Sequence, residues 1–166
     1  ELNPNWRTLP YDGRVFRIDP ATCAVECVDR GFRFTNGIAF GPDGDLYVAE
    51  TFTGNIYRYG YRSGRVQGPR QLFGNVIERF DLAECQGPDG MKFGADGNLY
   101  VAVFGQGDVT VLDSGGQVVK RIKTAGSMPT NLAFGPGGER KIYVTEVETG
   151  TVQVFDVETG GLPLNL

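Results

Sequence analysis

A short stretch recurs along this chain, and its spacing constrains the fold more than any other feature. It reads Phe40-Gly41-Pro42-Asp43-Gly44-Asp45-Leu46-Tyr47-Val48-Ala49, then Phe93-Gly94-Ala95-Asp96-Gly97-Asn98-Leu99-Tyr100-Val101-Ala102. A third version opens at Pro129 to Phe134 and continues with Ile142 to Glu146. Asp96-Gly97, set between two apolar runs, supplies the positive φ angles of a tight hairpin turn, so Met91 to Phe93 and Leu99 to Val103 are expected to pair as antiparallel strands. The repeats begin ~40 to 55 residues apart, the period of a four-stranded propeller blade. Phe40, Phe93 and Phe134 align as inner-strand aromatics that pack between blades, and Tyr47, Tyr100 and Tyr143 align in the second strand.

Composition supports an all-β fold of short strands and tight turns, with 25 glycines and nine prolines in 166 residues. The chain reads as one domain over residues 1–166, in blade units at 14–28 (partial), 36–73, 88–123 and 129–157. That makes about three four-stranded antiparallel blades, half of a six-bladed propeller. Radial closure commonly uses four to eight blades, and an open stack leaves two apolar blade faces in water. A second copy of the chain, forming a homodimer, or a separate N-terminal half is therefore expected to complete it. Residues 1–13 read as an extended lead-in containing Trp6, and the connection 74–86, with Ile77, Phe80 and Leu82, as a helical turn or packed loop.

Alignment on the phenylalanines places Asn36, Asp89 and Thr130 at one equivalent position, with Asn131 one step later. Asp89 is expected just before the first strand of its unit. An Asn or Asp there can simply hydrogen-bond nearby amides to shape a turn. The same side chains also offer oxygens aimed at an axis, which suits a hard cation that takes six to eight oxygen ligands. Glu50 and Glu146, at the ends of equivalent second strands, read as solvated edges. Asp43, Asp96 and Asp113 read as turn residues, and the basic residues between Arg58 and Arg70 as a solvated outer strand.

Other chemistry is restricted by what the sequence lacks. It has no histidine, which removes Ser-His and Cys-His pairs and His-ligated zinc. Cys23, Cys27 and Cys85 match no metal spacing and read as small buried or edge residues, the first two in a strand. A net charge of −4 with no basic stripe speaks against nucleic acid. No apolar run approaches the ~20 residues of a membrane span, so the expectation is a cytoplasmic protein with no membrane partner.

The runs Thr35-Asn36-Gly37-Ile38-Ala39-Phe40, Gly87-Pro88-Asp89-Gly90-Met91 and Pro129-Thr130-Asn131-Leu132-Ala133-Phe134-Gly135 resemble the regucalcin/gluconolactonase (SMP-30) family. So do the Gly13-Arg14-Val15-Phe16-Arg17-Ile18-Asp19 lead-in and Tyr143-Val144-Thr145-Glu146. The resemblance covers nearly the whole chain but only the family's C-terminal half. It implies a six-bladed propeller that hydrolyses sugar or other lactones with an axial divalent metal, Ca²⁺ first and Zn²⁺ or Mg²⁺ as alternatives. Asn36 then matches one metal ligand and Asp89 a second ligand that is also the general base. Thr130 and Asn131 match small polar residues at the substrate. A third ligand, a Glu, and the Arg and Asn that hold substrate have no counterpart here. The resemblance thus implies a lactonase site shared with further polypeptide. The alternatives are an inactive half-propeller that binds a ligand or protein, or a piece of an ordinary six-bladed enzyme.

Overall fold

The computed structural model describes residues 10–79 and 85–163. The expectations for Trp6, Phe80 and Leu82 lie outside the described residues. Strands β1 (Gly13–Ile18) and β2 (Val25–Phe32) pair with each other. Then follow two four-stranded sheets, β3 (Thr35–Phe40), β4 (Leu46–Glu50), β5 (Asn55–Arg62), β6 (Arg65–Asn75) and β7 (Gly87–Phe93), β8 (Leu99–Phe104), β9 (Asp108–Leu112), β10 (Val118–Lys123). The last sheet holds β11 (Pro129–Phe134), β12 (Lys141–Glu146) and β13 (Thr151–Asp156). Each sheet is an antiparallel meander in sequence order. The all-β architecture of short antiparallel meanders expected from the repeats is present.

The second strand of each four-stranded sheet is buried along nearly its whole length, and apolar apart from Glu50, because both of its faces are covered. Leu46 and Val48 pack with Val15, Phe32 and Tyr59 toward β1 and β2, whereas Tyr47 and Ala49 pack with Met91, Phe93 and Val101 of the next sheet. One sheet further on, Tyr100 and Ala102 pack with Leu132, Ile142 and Val144. The repeated aromatics meet edge-on across each interface, Tyr47 with Phe93 (centroids 4.8 Å apart) and Tyr100 with Phe134 (5.0 Å). The ladder stops at both ends, where Phe40 is 52% and Tyr143 36% exposed.

Several local expectations are corrected. Asp89 lies inside β7, not before it. Glu50 and Glu146 are buried, at 3% and 2% exposure, because loops fold over them. Glu50 accepts hydrogen bonds from the Arg33 N–H (2.6 Å) and the Tyr57 hydroxyl (3.1 Å), and Glu146 from the N–H groups of Met128 (2.9 Å) and Thr149 (2.7 Å). Each thus clasps the segment leading into an inner strand. The arginines between 58 and 70 are not simply solvated, since Arg58 and Arg62 pair with buried Asp45 and Arg70 pairs with Asp29 over the Phe32 ring. Cys23 lies in the turn before β2 rather than in a strand, and both it and Cys27 are exposed.

Candidate functional site

The three inner strands, β3, β7 and β11, lie side by side, and each carries a register break at its leading end. In β3 the pairing steps from Thr35 opposite Glu50 to Ile38 opposite Val48, which leaves Asn36 and Gly37 facing the single residue Ala49. In β7 it steps from Pro88 opposite Val103 to Met91 opposite Val101, so that Asp89 and Gly90 face Ala102. In β11, Thr130 is the unpaired residue between Pro129 and Asn131. A bulge inserts one residue and re-aims its side chain. Asn36, Asp89 and Thr130 therefore share one structural position, as the alignment on the phenylalanines predicts.

Glycine lets the first two bulges touch. A side chain at Gly37 would collide with the Asp89 carbonyl oxygen, and one at Gly90 with the Asn131 side chain. Gly87 lies against the Thr51 carbonyl oxygen in the same way. Thr51 sits in the 3-10 turn Thr51–Thr53 that follows β4 and is 2% exposed.

Its hydroxyl joins the two strands. Asn36 Nδ2 donates to Thr51 Oγ1 (3.2 Å), and Thr51 Oγ1 donates to the Pro88 carbonyl oxygen (2.8 Å). The Asp89 carboxyl receives hydrogen bonds from the Asn36 side chain and the Gly90 N–H. Burial nevertheless pushes its pKa from the ordinary 3.8 up to about 6, with those two hydrogen bonds opposing the rise. No cationic side chain among the described residues sits beside it to favour the charged form.

Thr130 and Asn131 are held differently. Thr130 Oγ1 is 2.8 Å from Thr145 Oγ1 within its own sheet, and Asn131 Oδ1 accepts from the Leu132 N–H (2.9 Å). The structure thus brings Asn36 and Asp89 into direct contact, while Thr130 and Asn131 line the neighbouring junction. Sequence reasoning missed Thr51. Its signal is faint: the matching residues after β8 and β12 pairings are Phe104 and Val147, so a hydroxyl occurs only in the sheet whose bulge position is an asparagine.

A half-buried carboxylate without a cationic partner, beside an amide, is an anionic and a neutral oxygen ligand of the kind a hard divalent ion takes. The residues present fit part of such a shell. Among the described residues no group of three or more His, Cys, Asp or Glu gathers to hold a metal.

The sequence pattern of the SMP-30/Gluconolactonase/LRE-like region matches residues 3–157. Diisopropyl-fluorophosphatase of Loligo vulgaris is 34% identical over 140 residues, covering 81% of this chain and 43% of that protein. The 6-deoxy-6-sulfogluconolactonase of Pseudomonas putida is 31% identical over 134 residues, 80% of this chain and 44% of that protein. The crystal structure of a calcium-binding protein, regucalcin, from Agrobacterium tumefaciens has a TM-score of 0.77 at 21% identity, over 94% of this chain and 56% of that one, a likeness of fold. The chain spans about half the length of these relatives.

Proposed function

Because the chain belongs to the SMP-30/gluconolactonase/LRE-like family, we propose that it supplies part of a metal-dependent lactone-hydrolase site, with Asn36 and Asp89 as its working residues. The observation that carries this is the pair itself, two oxygen-bearing side chains in contact at matching bulges of adjacent inner strands. Asn36 Oδ1 and the Asp89 carboxylate would hold the cation, Ca²⁺ by preference for oxygen. When bound, such an ion polarises a lactone carbonyl. Asp89 also acts as general base, taking a proton from the attacking water. Thr130 and Asn131 border the substrate side through Gly90.

Two oxygens are few for a six- to eight-coordinate ion, so other ligands come from water, substrate or further polypeptide. The ends of the stack favour the last of these. Phe16, Ile18 and Val25 are 51–64% exposed at one end, and Tyr143, Val152 and Val154 are 36–63% exposed at the other. Such surfaces mark an interface. We infer that a second copy of the chain, or a separate segment matching the rest of its relatives, covers both faces and completes the ring.

Calorimetry with Ca²⁺, Zn²⁺ and Mg²⁺, gluconolactone turnover and mass by light scattering on one preparation test this reading. The expected results are saturable heat, a mass above that of one chain wherever turnover is found, and loss of turnover in Asp89→Asn. Unchanged turnover in that variant ends the proposed mechanism, and an active monomer ends the shared site. A chain that assembles with no saturable heat is a binding module and not a lactonase.

A further inference from the structure

We propose that Thr51 is a positioning residue that fixes which end of the Asn36 amide faces the axis. Counting hydrogens determines the orientation. The Pro88 carbonyl oxygen can only accept, so the Thr51 hydroxyl hydrogen, 2.8 Å away across the Oγ1–O contact, is engaged there. With its hydrogen engaged, Thr51 Oγ1 can only accept from Asn36, which places Nδ2 and not Oδ1 on the Thr51 side. The Asp89 carboxyl lies on the neighbouring bulge, on another side of the same amide. With Nδ2 held against Thr51, Oδ1 is the amide atom turned away from it. A flipped amide would set Oδ1 against the Thr51 oxygen, whose hydrogen is engaged at Pro88, with no donor between them. An unmade hydrogen bond in a buried position is costly, and water does not reach a hydroxyl on a residue 2% exposed.

The repeat supports this assignment independently. The residues matching Thr51 are Phe104 and Val147, in sheets whose bulges carry Asp89 and Thr130. Neither of those side chains has an amide to orient, and in neither sheet is there a hydroxyl at this place. Thr51 itself is held by the turn it starts, where the Gly54 N–H donates to its carbonyl oxygen (3.3 Å), and by close approach of Gly87.

The consequence for cation binding rests on the reading of Asn36 as a ligand, whereas the orientation does not. The test therefore reads both, on the full chain. In metal-free protein, the side-chain amide protons of Asn36 should exchange slowly with water and show a nuclear Overhauser contact to the Thr51 methyl group. Thr51→Val should raise the exchange of at least one of them about tenfold, with Thr51→Ser restoring protection. Ca²⁺ affinity by calorimetry should fall about tenfold in Thr51→Val and recover in Thr51→Ser, as for loss of a partner that orients a metal ligand. Unchanged amide exchange in a folded Thr51→Val chain overturns the proposal. So does absence of the Overhauser contact in the unmodified chain, which needs no variant to fold. If the unmodified chain binds no Ca²⁺, the lactonase reading fails while the amide measurements still decide the role of Thr51.

Discussion

The junction between β3 and β7 and the junction between β7 and β11 are built from the same parts, yet they hold their polar residues in different ways. In the first, Asn36 donates to Thr51 and Thr51 to the Pro88 carbonyl, a hydrogen-bonded link across two sheets with Asp89 on the adjoining bulge. In the second, Thr130 bonds to Thr145 of its own sheet and Asn131 to the next backbone amide, so no side-chain hydrogen bond among those described crosses to Asp89. A bulge re-aims a side chain in both places. What separates the two junctions is the Thr51 hydroxyl, bonded between the strands of the first and matched at its place by no hydroxyl in the second.

The largest expected effect tests how tightly each junction is closed. Gly37→Ala sets a methyl group against a backbone carbonyl that cannot retreat, and should cost about 3 kcal/mol or more in denaturant unfolding. Gly90→Ala meets the Asn131 amide, which can swing aside, but also the Asn131 Cα, which is backbone and cannot, and should cost about 2 kcal/mol. Equal losses would mean that both junctions are equally rigid and that the contrast lies only in their hydrogen bonds.

A smaller effect is expected in pH dependence. The Asp89 carboxyl has its pKa raised to about 6 in the folded chain, so the folded state keeps a proton that the unfolded state has released. Stability therefore falls as pH rises from about 4 to about 6 and levels off above. Thermal melts across that range should show the slope, and Asp89→Asn should remove this part of it; an unaltered slope would assign it to other groups. Cations compete with the proton, so Ca²⁺ affinity should decline below about pH 6. The smallest effect is expected at the second junction, where Thr130→Val should change stability by about 0.5 kcal/mol or less and leave Ca²⁺ affinity nearly unaltered. A large loss of affinity there would put Thr130 in the ligand shell and erase the distinction between the junctions.

Much of this fold was legible before any coordinates. Turn pairs such as Asp96-Gly97 and the apolar runs between them marked nearly every strand, and aligning Phe40, Phe93 and Phe134 found the one position the bulges share. Glu50 and Glu146 were misread, because alternation along a strand reports which face a residue takes and not whether a distant loop will fold over its end. Thr51 went unnoticed for a related reason. The carbonyl that engages it belongs to Pro88, 37 residues further along the chain, and a lone threonine after a strand carries no pattern.

Local chemistry, repeated at a regular interval, was therefore enough to determine the strands, their grouping into sheets and the polar residues that occupy the bulges, since each depends on neighbours within a few residues. Only the tertiary structure decided which of those residues touch, how far burial raises the Asp89 pKa, and that the Asn36 amide turns its nitrogen toward Thr51. Those outcomes depend on hydrogen-bond partners and desolvation supplied by another sheet, and such partners come together only when the inner strands pack side by side.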